Sequence, residues 1–169
     1  MKPMSAKSWI IRWVTVGLAV SSTGAIAPVA LAQVIPDNTL PTPSNVTPGC
    51  TVCAIDGGTQ QNNNLFHSFS EFSVPTDGAA IFNNLETIEN IFSRITGDSV
   101  SDIEGLLRTR GAANLFLLNP NGIIFGPNAQ LDIPGSFTAS TANSLIFSNG
   151  EEFSAVNPEA PPLLTLSIS

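Results

Sequence analysis

The chain has 169 residues, with thirteen acidic side chains against six basic ones, a net charge of −7 and 43% hydrophobic residues. Lys2, Lys7 and Arg12 all fall in the first 32 residues, so the remainder carries only Arg94, Arg108 and Arg110 as cations while keeping all thirteen acids. An acidic surface without a basic patch argues against nucleic acid and anionic membranes as partners, and the length suffices for one core.

Residues 1–32 read as an export signal. A basic start is followed by an apolar stretch from Trp13 to Leu31, and Ala30-Leu31-Ala32 has the small-x-small pattern that signal peptidase cuts, so the mature chain is expected to begin at Gln33. The alternative, a membrane-spanning helix, is disfavoured. Ser21, Ser22, Thr23, Gly24 and Pro28 interrupt the apolar run, and no basic stop-transfer cluster follows.

Residues 33–54 form an extended leader rich in Pro, Thr, Asn and Ser, suited to an edge strand or a loose segment. It ends in "GCTVCAIDGG", where Cys50 and Cys53 read as a small-loop disulfide or an idle pair of thiols in an exported protein. A redox-active pair would need its first cysteine at a helix start beside a βαβ pattern, and Pro48-Gly49 and Gly57-Gly58 flank this pair instead. Zinc lacks ligands, because His67 is the only histidine. No metal or cofactor is expected.

From residue 55 to 155 the sequence consists of short apolar bursts bounded by turn residues. "AIDGG", "NLFHSFSEFSVP" and "AAIFNN" are each of strand length. In "NNLETIENIFSRITG" the spacing of Leu85, Ile88, Ile91 and Ile95 predicts a short helix over Leu85–Asn90, passing into a strand over Ile91–Thr96. After Gly105 the pattern is β throughout, from "GLLRTRG" to "SLIFSNGEEFSA". The turns at Asn119-Pro120-Asn121-Gly122, Gly126-Pro127-Asn128 and Pro134-Gly135 recur about every seven residues, so three strands close a circuit of about 22 residues, the period of a parallel β-helix. Leu115, Leu117, Ile123, Phe125, Leu131 and Phe137 are expected to point inward, with Asn and Gly at the corners. An antiparallel sandwich is the alternative, but "LFLL" and "GIIF" are too continuously apolar for strict alternation. Residues 156–169, with Leu163, Leu164, Leu166 and Ile168, read as the start of a further coil or a truncated passenger.

Together "NLFHSFSEFSVP", "NIFSRITG" and "GAANLFLLNPNGIIFGPNAQLDIPGSFTAST" resemble the filamentous haemagglutinin amino-terminal domain, the secretion domain of two-partner secretion exoproteins, in the form common in cyanobacteria. Asn119-Pro120-Asn121-Gly122-Ile123 corresponds to the family's NPNGI signature, and Asn83-Asn84-Leu85 is a degenerate counterpart of its NPNL signature, lacking the proline. The resemblance implies an all-β, right-handed parallel β-helix with a partly antiparallel amino-terminal cap. It also implies recognition in the periplasm by the POTRA domains of an outer-membrane transporter, after the general secretion machinery and signal peptidase have acted, and delivery to the cell surface or medium without stable membrane insertion.

Two other functions fit a β-helix. A free-standing surface adhesin could present the Ser/Thr/Asn-rich stretch Ser136–Asn149 as a polar ladder, although a solvent-facing strand explains that stretch as well. A polysaccharide lyase would need Lys or Arg as base and an acidic calcium cluster; the mature cations are Arg94, Arg108 and Arg110 alone, and Asp98 and Asp102 beside Gly97 read better as a solvated turn. His67, between Phe66 and Phe69, is expected to be a hydrogen-bonded histidine of the cap, with Phe66, Phe69 and Phe72 packing cap against coil.

Overall fold

A computed structural model describes residues 32–158. The stretch expected to be an export signal, but for Ala32, and the apolar tail from Leu163 to Ile168 lie outside the described residues. Fifteen strands run in chain order as β1 (Gln33–Pro36), β2 (Ser44–Asn45), β3 (Val52–Gly57), β4 (Thr59–Gln61), β5 (Asn64–Ser73), β6 (Ala79–Phe82), β7 (Asn90–Ile95), β8 (Ser101–Ile103), β9 (Leu106–Thr109), β10 (Asn114–Leu118), β11 (Ile123–Phe125), β12 (Gln130–Asp132), β13 (Phe137–Ser140), β14 (Ser144–Ile146) and β15 (Glu152–Ser154). No helix occurs among the described residues.

The strands stack as a parallel β-helix of about 4 turns. One wall is β5-β7-β10-β13, a second is β3-β6-β9-β12, and β8 and β11 form the third side. Successive rungs are offset by 26, 24 and 22 residues along the corner running through Asn64, Asn90, Asn114 and Ser136. The expected coil length is therefore reached in the last turn, while the earlier coils carry longer corners. Parallel register places like on like inside: Leu65, Ile91, Leu115 and Phe137 form one column, and Cys53, Ala80, Leu107 and Leu131 another.

The expected cap is present at the amino-terminal end. β1 and β4 share the free edge of β5, and β2 lies on the free edge of β3; all three pair antiparallel. Covering these edges removes the unpaired backbone groups that would otherwise template aggregation. Cys50 and Cys53 form a disulfide at the entrance to β3, with Cys53 fully buried. Ala32, assigned to the signal, is buried and its N–H donates to the Cys50 carbonyl.

Three expectations need correction. The helix over Leu85–Asn90 is a single turn, in which the Ile88 N–H donates to the Leu85 carbonyl. The N–H groups of Glu89 and Asn90 are drawn to the Asn63 carbonyl one coil below, so inter-coil bonding overrides the local period; Ile88 enters the core while Leu85 is 65% exposed. "SLIFSNGEEFSA" does not continue the coils. It folds as an antiparallel hairpin, β14 on β15, turning at Asn149-Gly150 with Gly150 at φ 84°. Phe125 and Leu131 stack in register on the buried Ile103 and Leu107 as expected, yet are 41% and 49% exposed, because no described rung lies upon them.

The hairpin lies against the outer face of the first wall. There Phe66, Phe92 and Phe116 point outward and stack with ring centroids 5.2 and 4.8 Å apart, and Phe147 and Phe153 of the hairpin meet them edge-on. Phe69 and Phe72 pack in the main core, whereas Phe66 belongs to this second cluster with Leu40, Leu145 and the hairpin phenylalanines.

Candidate functional site: the asparagine corners

The NPNGI segment forms the corner between β10 and β11. Pro120 and Asn121 make a turn closed by the Gly122 N–H donating to the Asn119 carbonyl at 3.1 Å. Gly122 sits at φ 123°, where a Cβ would be strained, and Ile123 then opens β11 against the core. Asn119 is wholly buried and its side chain is used on every side. Nδ2 donates to the Ser99 carbonyl and to Ser101 Oγ, both at 2.9 Å, while Oδ1 accepts from the Asn121 N–H at 3.0 Å. Asn121 is exposed, and its amide donates to the Gly97 carbonyl at 2.7 Å. The corner therefore grips the loop of the coil beneath it.

The degenerate second motif is built on the same principle at the opposite corner. Asn84 is buried; its Oδ1 accepts from the Arg110 N–H and its Nδ2 donates to the Arg110 carbonyl, so one side chain pairs with both backbone groups of a residue one coil away. Asn83 is exposed and donates to Asp56 Oδ1 at 2.6 Å, and Leu85 points to solvent. The two motifs face different corners and do not converge on one site.

A third set of asparagines was missed. Asn90 donates to Asn64 and Asn114 donates to Asn90, each at 2.9 Å, and the Ser136 N–H continues the ladder onto Asn114 Oδ1. The signal was in the text: Asn64-Leu65-Phe66, Asn90-Ile91-Phe92 and Asn114-Leu115-Phe116 repeat one triplet, which places a ladder residue, an inward aliphatic and an outward aromatic on each rung.

Among the described residues no group of three or more His, Cys, Asp or Glu side chains is placed to hold a metal ion. Asp98 lies in a turn and Asp102 in β8, both exposed. His67 is an inward side chain of β5, with its Nδ1 2.9 Å from Ser44 Oγ, and burial lowers its pKa to about 4 against a partial upward pull from Asp56. Arg94 is the outstanding buried charge. Its Nε donates to Ser68, Nη1 to the Ser154 carbonyl at 2.6 Å, and Nη2 to Thr39 and the Pro158 carbonyl, while Phe153 lies 4.5 Å from the guanidinium carbon. Burial lowers its pKa to about 10 although Asp37 opposes the shift, so Arg94 stays charged at neutral pH.

What repeats among the described residues is asparagine at the corners of stacked coils. No curated protein matches the chain. The sequence profile of the TPS secretion domain does match, over residues 32–169, and with that coverage on a β-helix built around the NPNGI corner the chain belongs to the TPS secretion domain family.

Proposed function

We propose that this chain is the secretion domain of a two-partner-secretion exoprotein, read in the periplasm by the POTRA domains of its transporter while it is still extended, and folded as a β-helix only after export. Membership of the family implies a cognate outer-membrane transporter and delivery to the cell surface or the medium, and points to a secreted protein that is not an enzyme.

The observation that carries the reading is the state of Asn119. In the folded coil it is wholly buried with its donors and acceptors engaged, and only Asn121 of the motif's two asparagines faces solvent. A partner that reads this segment as a motif must meet it before the corner closes. An extended strand added to a POTRA sheet edge would offer main-chain bonds for affinity and alternate side chains for specificity.

Secretion in a heterologous Gram-negative host, with and without the cognate barrel, tests the proposal. Product is expected in the medium only when the barrel is present, and export is expected to fail in Asn119→Ala/Asn121→Ala. Product retained in the periplasm with the barrel present would reject the assignment for this chain. Unchanged secretion of the double variant would reject recognition through the motif.

A further inference from the structure

We infer that the interior of the β-helix holds an ordered-water site, formed by His67 Nε2, Ser93 Oγ and Thr109 Oγ1 between the coil of β5 and β6 and the coil of β7 to β9. These three atoms are buried and have no hydrogen-bond partner in the protein. Buried polar atoms are almost always paired, with protein or with water, so three orphans in one region call for one explanation.

Register brings the three together. His67 on β5 pairs with Ser93 on the next rung of the same wall, and both point inward. Phe82 on β6 pairs with Thr109 on the next rung of the facing wall. The His67 and Phe82 rings lie 5.4 Å apart across the interior, which joins the two columns at that level. One rung higher the facing pair is therefore Ser93 and Thr109. Above it Leu117 follows Ser93 in register, and Ile133, the residue after β12, packs against the same core. A layer of two small hydroxyl side chains thus lies between a His–Phe layer and a Leu–Ile layer. Strand spacing is fixed by the backbone ladder, so the thin layer has room that its neighbours fill with carbon.

The histidine sets the polarity of the site. One ring nitrogen, Nδ1, is engaged by Ser44 Oγ at 2.9 Å, which leaves Nε2 as the polar atom of the ring without a protein partner. Phe69 and Phe82 flank the ring and supply no polar atom. A neutral imidazole nitrogen and two hydroxyls offer both donors and acceptors, and a buried water requires two to four such partners, by general rule.

A crystal structure of the chain that resolves waters, together with water NOE measurements in solution, tests the inference. The expected result is a density peak within about 2.7–3.2 Å of His67 Nε2 and of at least one of the two hydroxyls. A long-lived water cross-peak to the His67 ring or the Ser93 amide is expected as well, and its loss in Ser93→Val/Thr109→Val with the β-sheet circular dichroism unchanged. A dry interior, with both hydroxyls turned to strand carbonyls, would overturn the site, and so would a water signal that persists in the double variant. Should that variant not fold, the measurement on the unsubstituted chain decides alone.

Discussion

His67 shows how one side chain couples this fold to pH. Burial holds its pKa at about 4, against an ordinary value of 6.5 that the unfolded chain recovers. Between those values the unfolded state binds the proton and the folded state does not, so acidification through that window favours unfolding; below about pH 4 this group adds no further loss. The difference corresponds to roughly 3 kcal/mol. Asp37 acts lower on the scale. Burial alone would raise its pKa, but bonds from Thr39, Thr96 and Ser68 outweigh that and lower it below 3.8, so its contribution is present above 3.8 and lost as pH falls through the folded value. Urea midpoints are expected to change little from pH 7.5 to about 6.5 and then to fall towards pH 4.5 in the native chain, and to stay nearly level throughout in His67→Phe. A flat profile in the native chain would contradict the burial argument. At the NPNGI corner the two asparagines separate folding from recognition. Asn119→Ala strips the Ser99 carbonyl, Ser101 and the Asn121 N–H of a partner, and should cost about 2 kcal/mol. Asn121→Ala removes an exposed bond to the Gly97 carbonyl and should cost less than about 1 kcal/mol. If the extended motif is what the transporter reads, Asn121→Ala will reduce the ratio of secreted to cell-bound product far more than its small stability loss explains. An export defect that merely tracks stability across both variants would assign the motif to folding alone.

At the scale of elements, the hairpin of β14 and β15 is the part most loosely joined to the rest. Among the described residues its strands pair only with each other, and it meets the coil through the phenylalanine cluster and through Arg94, whose guanidinium donates to the Ser154 and Pro158 carbonyls. Such charge-assisted bonds contribute roughly 1.5–3 kcal/mol, and local units opening below the global free energy exchange their amides first. Arg94→Met should therefore speed amide exchange over Leu145–Phe153 by about tenfold or more, by general conversion of that energy, while the amides of Leu115 and Leu117 in the core column keep their protection. Equal acceleration in both regions would show that Arg94 supports the whole solenoid. This hairpin also marks the limit of what the sequence made legible. Strand positions from β5 to β13 could be read because Gly, Pro and Asn punctuate them, and the inward columns could be read because the coil repeats. Asn149-Gly150 is a hairpin turn in plain view, but an apolar strand packing outside a coil looks in sequence like one packing inside. The helix over Leu85–Asn90 failed for the converse reason. Its local period was genuine, and Asn63, one coil earlier, took the N–H groups a helix would have used. Of the site, the NPNGI turn was visible residue by residue. That Asn84 pairs with Arg110 and Asn119 with Ser99 depends on coil offsets, which short-range patterns do not encode.

At the scale of the whole molecule, the described residues form a solenoid with dissimilar ends. Antiparallel strands β1, β2 and β4 close one end, while at the other Phe125 and Leu131 extend the core columns into solvent. Between the ends almost nothing is local. Each rung of the first wall pairs with residues 22 to 26 positions away, so a coil of chain must close before any ladder bond forms. Arg94 and Ser154 lie 60 positions apart, so the last fastening joins distant parts of the chain. Loop closure must precede the contacts that reward it, which makes non-local β structure fold in milliseconds to seconds rather than microseconds. Under the proposed function, in which the transporter reads the chain while it is extended, that delay is an asset, since a fast folder would bury Asn119 before any partner met it. Stopped-flow refolding from urea, with the Cys50–Cys53 bond intact, should show the main far-ultraviolet circular dichroism phase on the scale of about 10 ms to several seconds. The phase contributed by the hairpin should follow it and disappear selectively in Arg94→Met. Refolding complete within the mixing dead time would remove slow folding as the reason the segment stays readable, and a chaperone holding it open would then be the agent to seek.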